Sequence, residues 1–351
     1  MKTLLRLLLK SQHQLNRSRP AQTDKGMTLV ELLVGAIMAF LIITPMLGFV
    51  VDMLNTDRRE QVKSNTEQDL QAAVDFIAQD LSQAIYIYDN DGVNAIKSSL
   101  LPPTSDPAGT PILVFWKRQL QPNALPVIST AANTPNPTNC NTTNTPCNDA
   151  YVLSLVAYYQ INDNNPASIW CQPSGANCPT RIVRYQIRDG LKDPKAASPA
   201  TDPYYATVKT GQKRSPAYNR LFEFSKPLEK VTEQNEDLGS GEVLVNYLDH
   251  SQLTGIPINP AECQTALGNP MDTTGVAPIA IPETTLRIPS PPDSVNSFYA
   301  CVDTSKNIAR VTLRGNSLRR LQPNNTDYNT QRSAYFPTAT IQVQGLGALG
   351  K

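Results

Sequence analysis

One uncharged apolar run near the N-terminus limits what this chain can fold into. Leu32–Val51 reads LLVGAIMAFLIITPMLGFVV, about the 20 residues a helix needs to cross the hydrocarbon core of a bilayer. Ahead of it Lys2, Arg6, Lys10, Arg17, Arg19 and Lys25 make residues 1–26 basic. Behind it stand Asp52, Asp57, Arg58, Arg59 and Glu60. A basic flank stays on the cytoplasmic side, so the rest of the chain is expected to be exported. The apolar stretch inside residues 1–26 is short and broken by Arg6, which makes it a poor secretory core.

The cysteines lead to the same topology independently. Cys140, Cys147, Cys171, Cys178, Cys263 and Cys301 all follow the apolar run, and the first four form two pairs of equal spacing within Pro-, Asn-, Thr- and Ser-rich stretches. Zinc sites use shorter C-x-x-C knuckles and often histidine, and here the histidines are His13 and His250. Disulfides in an oxidising compartment are the better reading. Of the 15 connectivities open to six cysteines, proximity favours Cys140–Cys147, Cys171–Cys178 and Cys263–Cys301. A formal net charge of +1 gives no global field for nucleic acid. With 29 prolines, 17 glycines and 17 % charged residues, a loop-rich exported β domain fits better than a helical cytosolic enzyme.

Glu31 is out of place for a plain anchor. It sits inside the apolar block, one turn from its start, where a carboxylate costs about 2.5–3.5 kcal/mol or more unless it is paired. Its partner is expected to be the amine of Met27, four residues earlier, or the same amine of a neighbouring subunit. That amine exists only if the chain is cut between Gly26 and Met27.

The segment Lys25-Gly26-Met27-Thr28-Leu29-Val30-Glu31-Leu32-Leu33 resembles the class III signal of type IV prepilins and type II secretion pseudopilins. The resemblance implies that a prepilin peptidase cuts after Gly26 and N-methylates Met27. It implies that Glu31 supports assembly by pairing with a neighbour's N-terminus. Other pilins or pseudopilins and an inner-membrane assembly platform are then the partners. Met27 stands where that family usually has phenylalanine, and the leader is longer than most. Asp52–Gly92 is similar to the pseudopilins of the cyanobacterial hormogonium polysaccharide secretion system. That similarity implies a part in polysaccharide export and gliding motility, with the exported polysaccharide as a further partner. A type II secretion minor pseudopilin and a pilin-anchored adhesin or sugar-binding module are the alternatives.

The fold class expected is α+β, a type IV pilin fold: a long N-terminal helix, membrane-spanning in its first half, packed on an antiparallel sheet with long disulfide-bearing loops. Residues 1–26 are the cytoplasmic leader, removed on maturation. Residues 27–88 are the helix, with about 29–51 in the membrane, and 89–351 are a periplasmic or extracellular head that ends in a filament at the cell surface. Leu70, Ala73, Val74, Ile77, Leu81 and Ile85 recur at helical spacing and predict a stripe laid on the sheet. Pro45 interrupts the apolar half. It marks either a point of local melting, as in pilins, or an ordinary membrane-helix proline. Strands are predicted over residues 112–116, 151–160, 181–187, 242–248, 298–302, 307–314 and 338–343, all rich in β-branched and aromatic residues. The pair YVLSLVAYYQ and RIVRYQI resembles the central hairpin of larger minor pilins. Between strands, Gln121–Asp149 is a loop long enough to be functional.

No catalytic constellation, cofactor motif or metal set is visible. Asp249-His250 lacks a marked nucleophile and reads as a surface loop histidine. Asp89-Asn90-Asp91-Gly92 begins like a calcium loop but lacks the remaining acidic ligands, and reads as a turn closing the long helix. Arg310, Arg314, Arg319, Arg320 and Arg332 read as a solvated sheet face, with an anionic polysaccharide or DNA as the alternative contact. Trp116 and Trp170 read as tryptophans buried in the sheet, with sugar stacking as the alternative. The terminal GLGALGK reads as a frayed tail.

Overall fold

A computed structural model describes residues 27–103, 107, 109–126, 140, 147–175, 177–193, 203–204, 212–252, 259–275, 277–292 and 295–347. The leader, including Lys25 and Gly26, most of the expected loop Gln121–Asp149, and the last four residues lie outside them. The two described ends of that expected loop, Gln121–Pro126 and Cys147–Asp149, are strand rather than loop, because β2 and β3 pair with each other beyond the apolar core run. The chain divides into two compact units after Arg58. Helix α1, Leu29–Ser82, begins in the first and ends in the second.

In the first unit every residue from Met27 to Arg58 is exposed, including Leu29 at 84 % and Phe40 and Phe49 at 71 %. The helix continues through Pro45. It is long and apolar enough to cross a membrane.

In the second unit the same helix turns amphipathic. Thr66, Leu70, Ala73, Val74, Ile77, Asp80 and Leu81 are buried, at the three- and four-residue steps that place side chains on one face. The helix stops at Ser82, six residues before the expected end at Tyr88. Ala84–Ile87 forms strand β1 instead. The cause is local: Ile85, Tyr86, Ile87 and Tyr88 are β-branched or aromatic in succession, a run that favours a pleated strand. Ala84, Ile87 and Tyr88 are fully buried, on both faces of that strand. The expected turn at Asp89–Gly92 is also corrected. Asp89 Oδ1 accepts from Gly92 N at 2.8 Å and caps a new helix, α2, Asn90–Ile96, as a side-chain oxygen at an N-cap does.

Strands β2 (Gly109–Pro126), β3 (Cys147–Asn162), β4 (Thr180–Arg188) and β5 (Glu242–Leu248) follow. With β1 they make a five-stranded antiparallel sheet in the order β1-β2-β3-β4-β5. The predicted hairpin is β3–β4, with Tyr158 opposite Arg184 and Val156 opposite Gln186. A short helix α3 (Glu262–Ala266), the two-residue strands β6 (Met271–Asp272) and β7 (Ile279–Ala280), and a turn of helix α4 (Glu283–Leu286) come next. A second antiparallel sheet of β8 (Arg287–Ile288), β9 (Phe298–Asp303), β10 (Ile308–Arg314) and β11 (Thr338–Gln344) has the order β11-β10-β9-β8. Helix α5, Leu318–Leu321, lies between β10 and β11. The architecture is therefore α+β, with two main sheets rather than the single one expected. They meet where Leu248 bridges Gly315.

The first sheet is covered on both faces, so its strands are apolar at both parities. On one face Phe115 and Tyr158 lie stacked and join the core with Leu70, Val74 and Ile77 of α1. On the other, Trp116 stacks on Phe222 with centroids 4.0 Å apart and donates Nε1–H to Tyr88 Oη at 2.8 Å. Gly315, just after β10, lies against α1: a Cβ there would lie 2.7 Å from Thr66 Cγ2 and 3.0 Å from Leu70 Cδ1, so a larger residue would force those side chains to shift.

Three disulfides join Cys140 to Cys147, Cys171 to Cys178 and Cys263 to Cys301. The third ties α3 to β9 across 38 residues, while the other two close loops of sequence separation 7. Chain-entropy reasoning scales with loop length: replacing both Cys263 and Cys301 by serine is expected to lower the unfolding free energy by about 4 kcal/mol, and the Cys171/Cys178 pair by about 2 kcal/mol. Urea unfolding of the detergent-solubilised chain measures both. Equal losses would show that loop closure does not set their contribution.

Candidate functional site

Of the residues that carry the family resemblance, Lys25 and Gly26 lie outside the described residues, while Met27–Leu33 run into the start of α1. Thr28 precedes the helix, and its Oγ1 accepts from Glu31 N at 3.3 Å. Leu32 N bonds Thr28 O at 3.2 Å. Thr28 is thus the N-cap and Glu31 the third helical residue, the spacing of a capping box. An acid in the first turn also faces the positive end of the helix dipole. Met27 is 71 % exposed and Glu31 is exposed. Glu31 is therefore exposed at the head of an apolar helix.

The second unit contains a buried ionic centre absent from the expected site residues. Asp80, 6 % exposed, sits on the apolar stripe of α1. Its Oδ1 accepts from Lys117 Nζ of β2 at 2.5 Å. Its Oδ2 accepts from Tyr158 Oη of β3 at 2.8 Å and from Arg184 Nε of β4 at 2.7 Å. One carboxylate thus binds three adjacent strands. The network continues outward, with Arg184 Nη2 donating to Gln186 Oε1 at 2.5 Å and Gln186 Nε2 to Gln119 Oε1 at 2.9 Å. Burial pushes the Asp80 pKa up, but Arg184 and Lys117 together outweigh it and hold the carboxyl below the usual aspartate range. The Tyr158 hydroxyl is pushed up by burial and by Asp80, so it remains a donor. The sequence does carry a signal for this centre: a charged residue on a helical apolar stripe, and Lys117 and Arg184 inside apolar strand runs.

The other singled-out residues are dispersed. His250 is not on the surface; it is 8 % exposed, with Nε2 3.3 Å from Thr326 Oγ1 and 3.4 Å from Asp327 Oδ1. Burial lowers its pKa despite Asp249 and Asp327. Asp249 does not orient it, because Asp249 Oδ2 accepts from Arg314 Nε at 2.8 Å and Oδ1 from Ser251. The expected arginine face is broken up in the same way. Arg314 is held by Asp249, Arg320 by Asp69, and Arg319 is fully buried, donating to the carbonyl oxygens of Asn177 and Cys171. Trp116 is buried in the sheet as expected. Trp170 instead lies half-buried in a 3-10 turn, with the Arg181 guanidinium 5.6 Å from its ring centroid. Among the described residues no three His, Cys, Asp or Glu side chains converge to hold a metal. An apolar groove of about 630 Å³ passes Ile85, Leu153 and Phe224, with the 60 % exposed ring of Tyr151 at its edge and Arg118 4.7 Å from that ring's centroid.

Comparison of the chain with protein-family models, with curated proteins and with solved structures returned no match.

Removing Asp80 leaves two buried cations without their counter-charge. Asp80→Ala is expected to destabilise the chain by about 3–5 kcal/mol, read by thermal or urea unfolding. Because the folded pKa is depressed, the contribution is complete above the ordinary aspartate value of about 3.9 and is lost as pH falls through the lower folded value. The difference between the parent chain and Asp80→Ala should therefore shrink below about pH 4. A difference that stays constant down to pH 2 would assign the loss to packing alone.

Proposed function

We propose that this chain is a minor pilin or pseudopilin, an assembly subunit of a type IV pilus-like filament. A prepilin peptidase cuts between Gly26 and Met27 and methylates Met27. The helix then holds the protein in the inner membrane, single-pass, with the head in the periplasm, until an assembly platform moves it into the filament beside other pilins. Its task in this reading is to assist polysaccharide secretion and gliding motility.

The observation that carries the reading is the pairing of opposites at the start of α1. Leu32–Val51 is uncharged and exposed all round, so it needs lipid or neighbouring helices about it. Glu31 stands at its head, where an unpaired carboxylate beside the hydrocarbon is unfavourable. A neighbour's free N-terminal amine offsets that cost, and only cleavage before Met27 creates such an amine. The ordering Gly26-Met27-Thr28-Leu29-Val30-Glu31 supplies the cut, the cap and the acid in register.

The mass of the mature N-terminal peptide, in cells with and without a prepilin peptidase, tests this directly. An N-methylated peptide beginning at Met27, seen only with the peptidase, is expected. An intact leader or a cut elsewhere would overturn the reading. In the same cells Glu31→Ala should leave the membrane-bound head intact but abolish its recovery in sheared filaments. Unchanged recovery would show that Glu31 is not needed for assembly, and a parent chain missing from sheared filaments would leave only an anchored module.

A further inference from the structure

Four strands form the outer edges of the two main sheets, and three of them carry features that block a further strand. β1 has four residues and a register break between Ala84 and Tyr86. β5 pairs with β4 through two irregularities and opens on Glu242. β8 has two residues and runs into Pro289. Such devices are how natural edges avoid templating another chain. β11 has none of them. It reads Thr-Ala-Thr-Ile-Gln-Val-Gln, without charge, proline or glycine, and pairs with β10 over all seven residues without irregularity.

The backbone groups that β11 leaves open follow from its hydrogen bonds. Gly315 N donates to Pro337 O and Gly345 N to Asn307 O, one pair beyond each end of the strand. Antiparallel pairing alternates bonded and non-bonded positions. Ala339, Ile341 and Val343 therefore bond β10, and Thr338, Thr340, Gln342 and Gln344 aim N–H and C=O outward. Among the described residues those outward groups have no hydrogen-bond partner. The side chains of Ala339, Ile341 and Val343 pack on the core yet remain partly exposed, so the edge is open on its apolar side as well.

We infer that β11 pairs with β11 of a second copy of this chain, antiparallel about a two-fold axis through Ile341. The strand is self-complementary in that register. Thr338 meets Gln344, Ala339 meets Val343, Thr340 meets Gln342 and Ile341 meets Ile341, so polar side chains face polar ones and apolar face apolar. The outward-bonding residues also meet one another, as a two-fold pair requires, and no charge meets its own copy. Cross-strand pairs of this kind are the unit of sheet stabilisation. The pairing joins the two second sheets into one. It goes beyond the filament reading and does not rest on it, because it uses only the head.

Cross-linking of the full chain in its membrane tests the pairing and its register together. At the axis the two Ile341 residues form a non-hydrogen-bonded pair with Cα atoms about 4.5 Å apart, within the span a disulfide bridges. Ile341→Cys is expected to give a disulfide-linked homodimer on mild oxidation. Thr338→Cys should not, since its two copies stand roughly 20 Å apart along the paired strands. Adding Gln342→Pro to Ile341→Cys should cut the dimer yield about tenfold, because proline removes an outward N–H that β10 does not use. Thermal unfolding of Gln342→Pro alone should match the parent chain. No dimer from Ile341→Cys in material with its native disulfides intact would overturn the inference. So would equal yields from Thr338→Cys, a dimer indifferent to Gln342→Pro, or cross-links to a different protein only.

Discussion

Asp80 has its two carboxylate oxygens on three neighbouring strands, and the placement of the helix in the second unit follows from that. Apolar side chains at three- and four-residue steps specify which face of α1 is buried, but not how far along the sheet it lies. A helix displaced by one turn would still bury leucine and valine. It would leave Lys117 and Arg184 in a poorly solvated place without an anion, and that costs several kcal/mol. The ionic centre therefore sets the register that hydrophobic burial leaves open. Its own burial is offset because each oxygen is hydrogen-bonded, Oδ1 by Lys117 and Oδ2 by Tyr158 and Arg184. A partly satisfied network in the same position would weaken the fold.

Around that centre the first sheet is enclosed rather than half exposed. The helix covers one face, and residues between about 212 and 240 cover the other through Tyr218, Phe222, Val231 and Leu238. This is why β3 is buried at eight successive positions apart from its ends and why the long connections are not mere surface decoration. They supply aromatic mass that a second helical layer supplies in other folds. The disulfide between Cys263 and Cys301 performs a related task at the second sheet, fastening a short helix with little core of its own.

The two units place opposite demands on their surroundings. The apolar half of α1 needs a non-aqueous environment on every side, and Glu31 at its head needs a positive partner. The proposed filament meets both demands with the same neighbouring subunits. The head, in contrast, is self-sufficient in its core and open mainly along one edge, β11, where the inferred second copy would bind. One contact is apolar and helical, the other made of backbone hydrogen bonds, so the two respond to different changes in the chain.

Much of this was legible in the residues, for physical reasons that are local. The membrane-length run, the amphipathic stripe from Leu70 to Leu81 and seven strands are written in short-range patterns of burial, and the structure contains each of them, although β2 runs over Gly109–Pro126 where the pattern predicts only 112–116. The class, α+β with a long apolar N-terminal helix and disulfides, follows from those patterns. Other features needed the tertiary structure. The helix ends at Ser82 rather than Tyr88: the β-branched and aromatic run Ile85–Tyr88 favours a strand locally, but only the fold supplies β2 as its pairing partner. His250 looked like a surface residue because polar neighbours surround it in sequence, whereas Thr326 and Asp327 enclose it from far along the chain. Arg314, Arg319 and Arg320 looked like part of one face, but each has a different partner brought to it by a different element: Asp249, the carbonyls of Asn177 and Cys171, and Asp69. Asp80 could be seen as a charge on an apolar stripe. Only the fold decided that its counter-charges are Lys117 and Arg184, because an ion pair between helix and sheet depends on where three strands lie side by side.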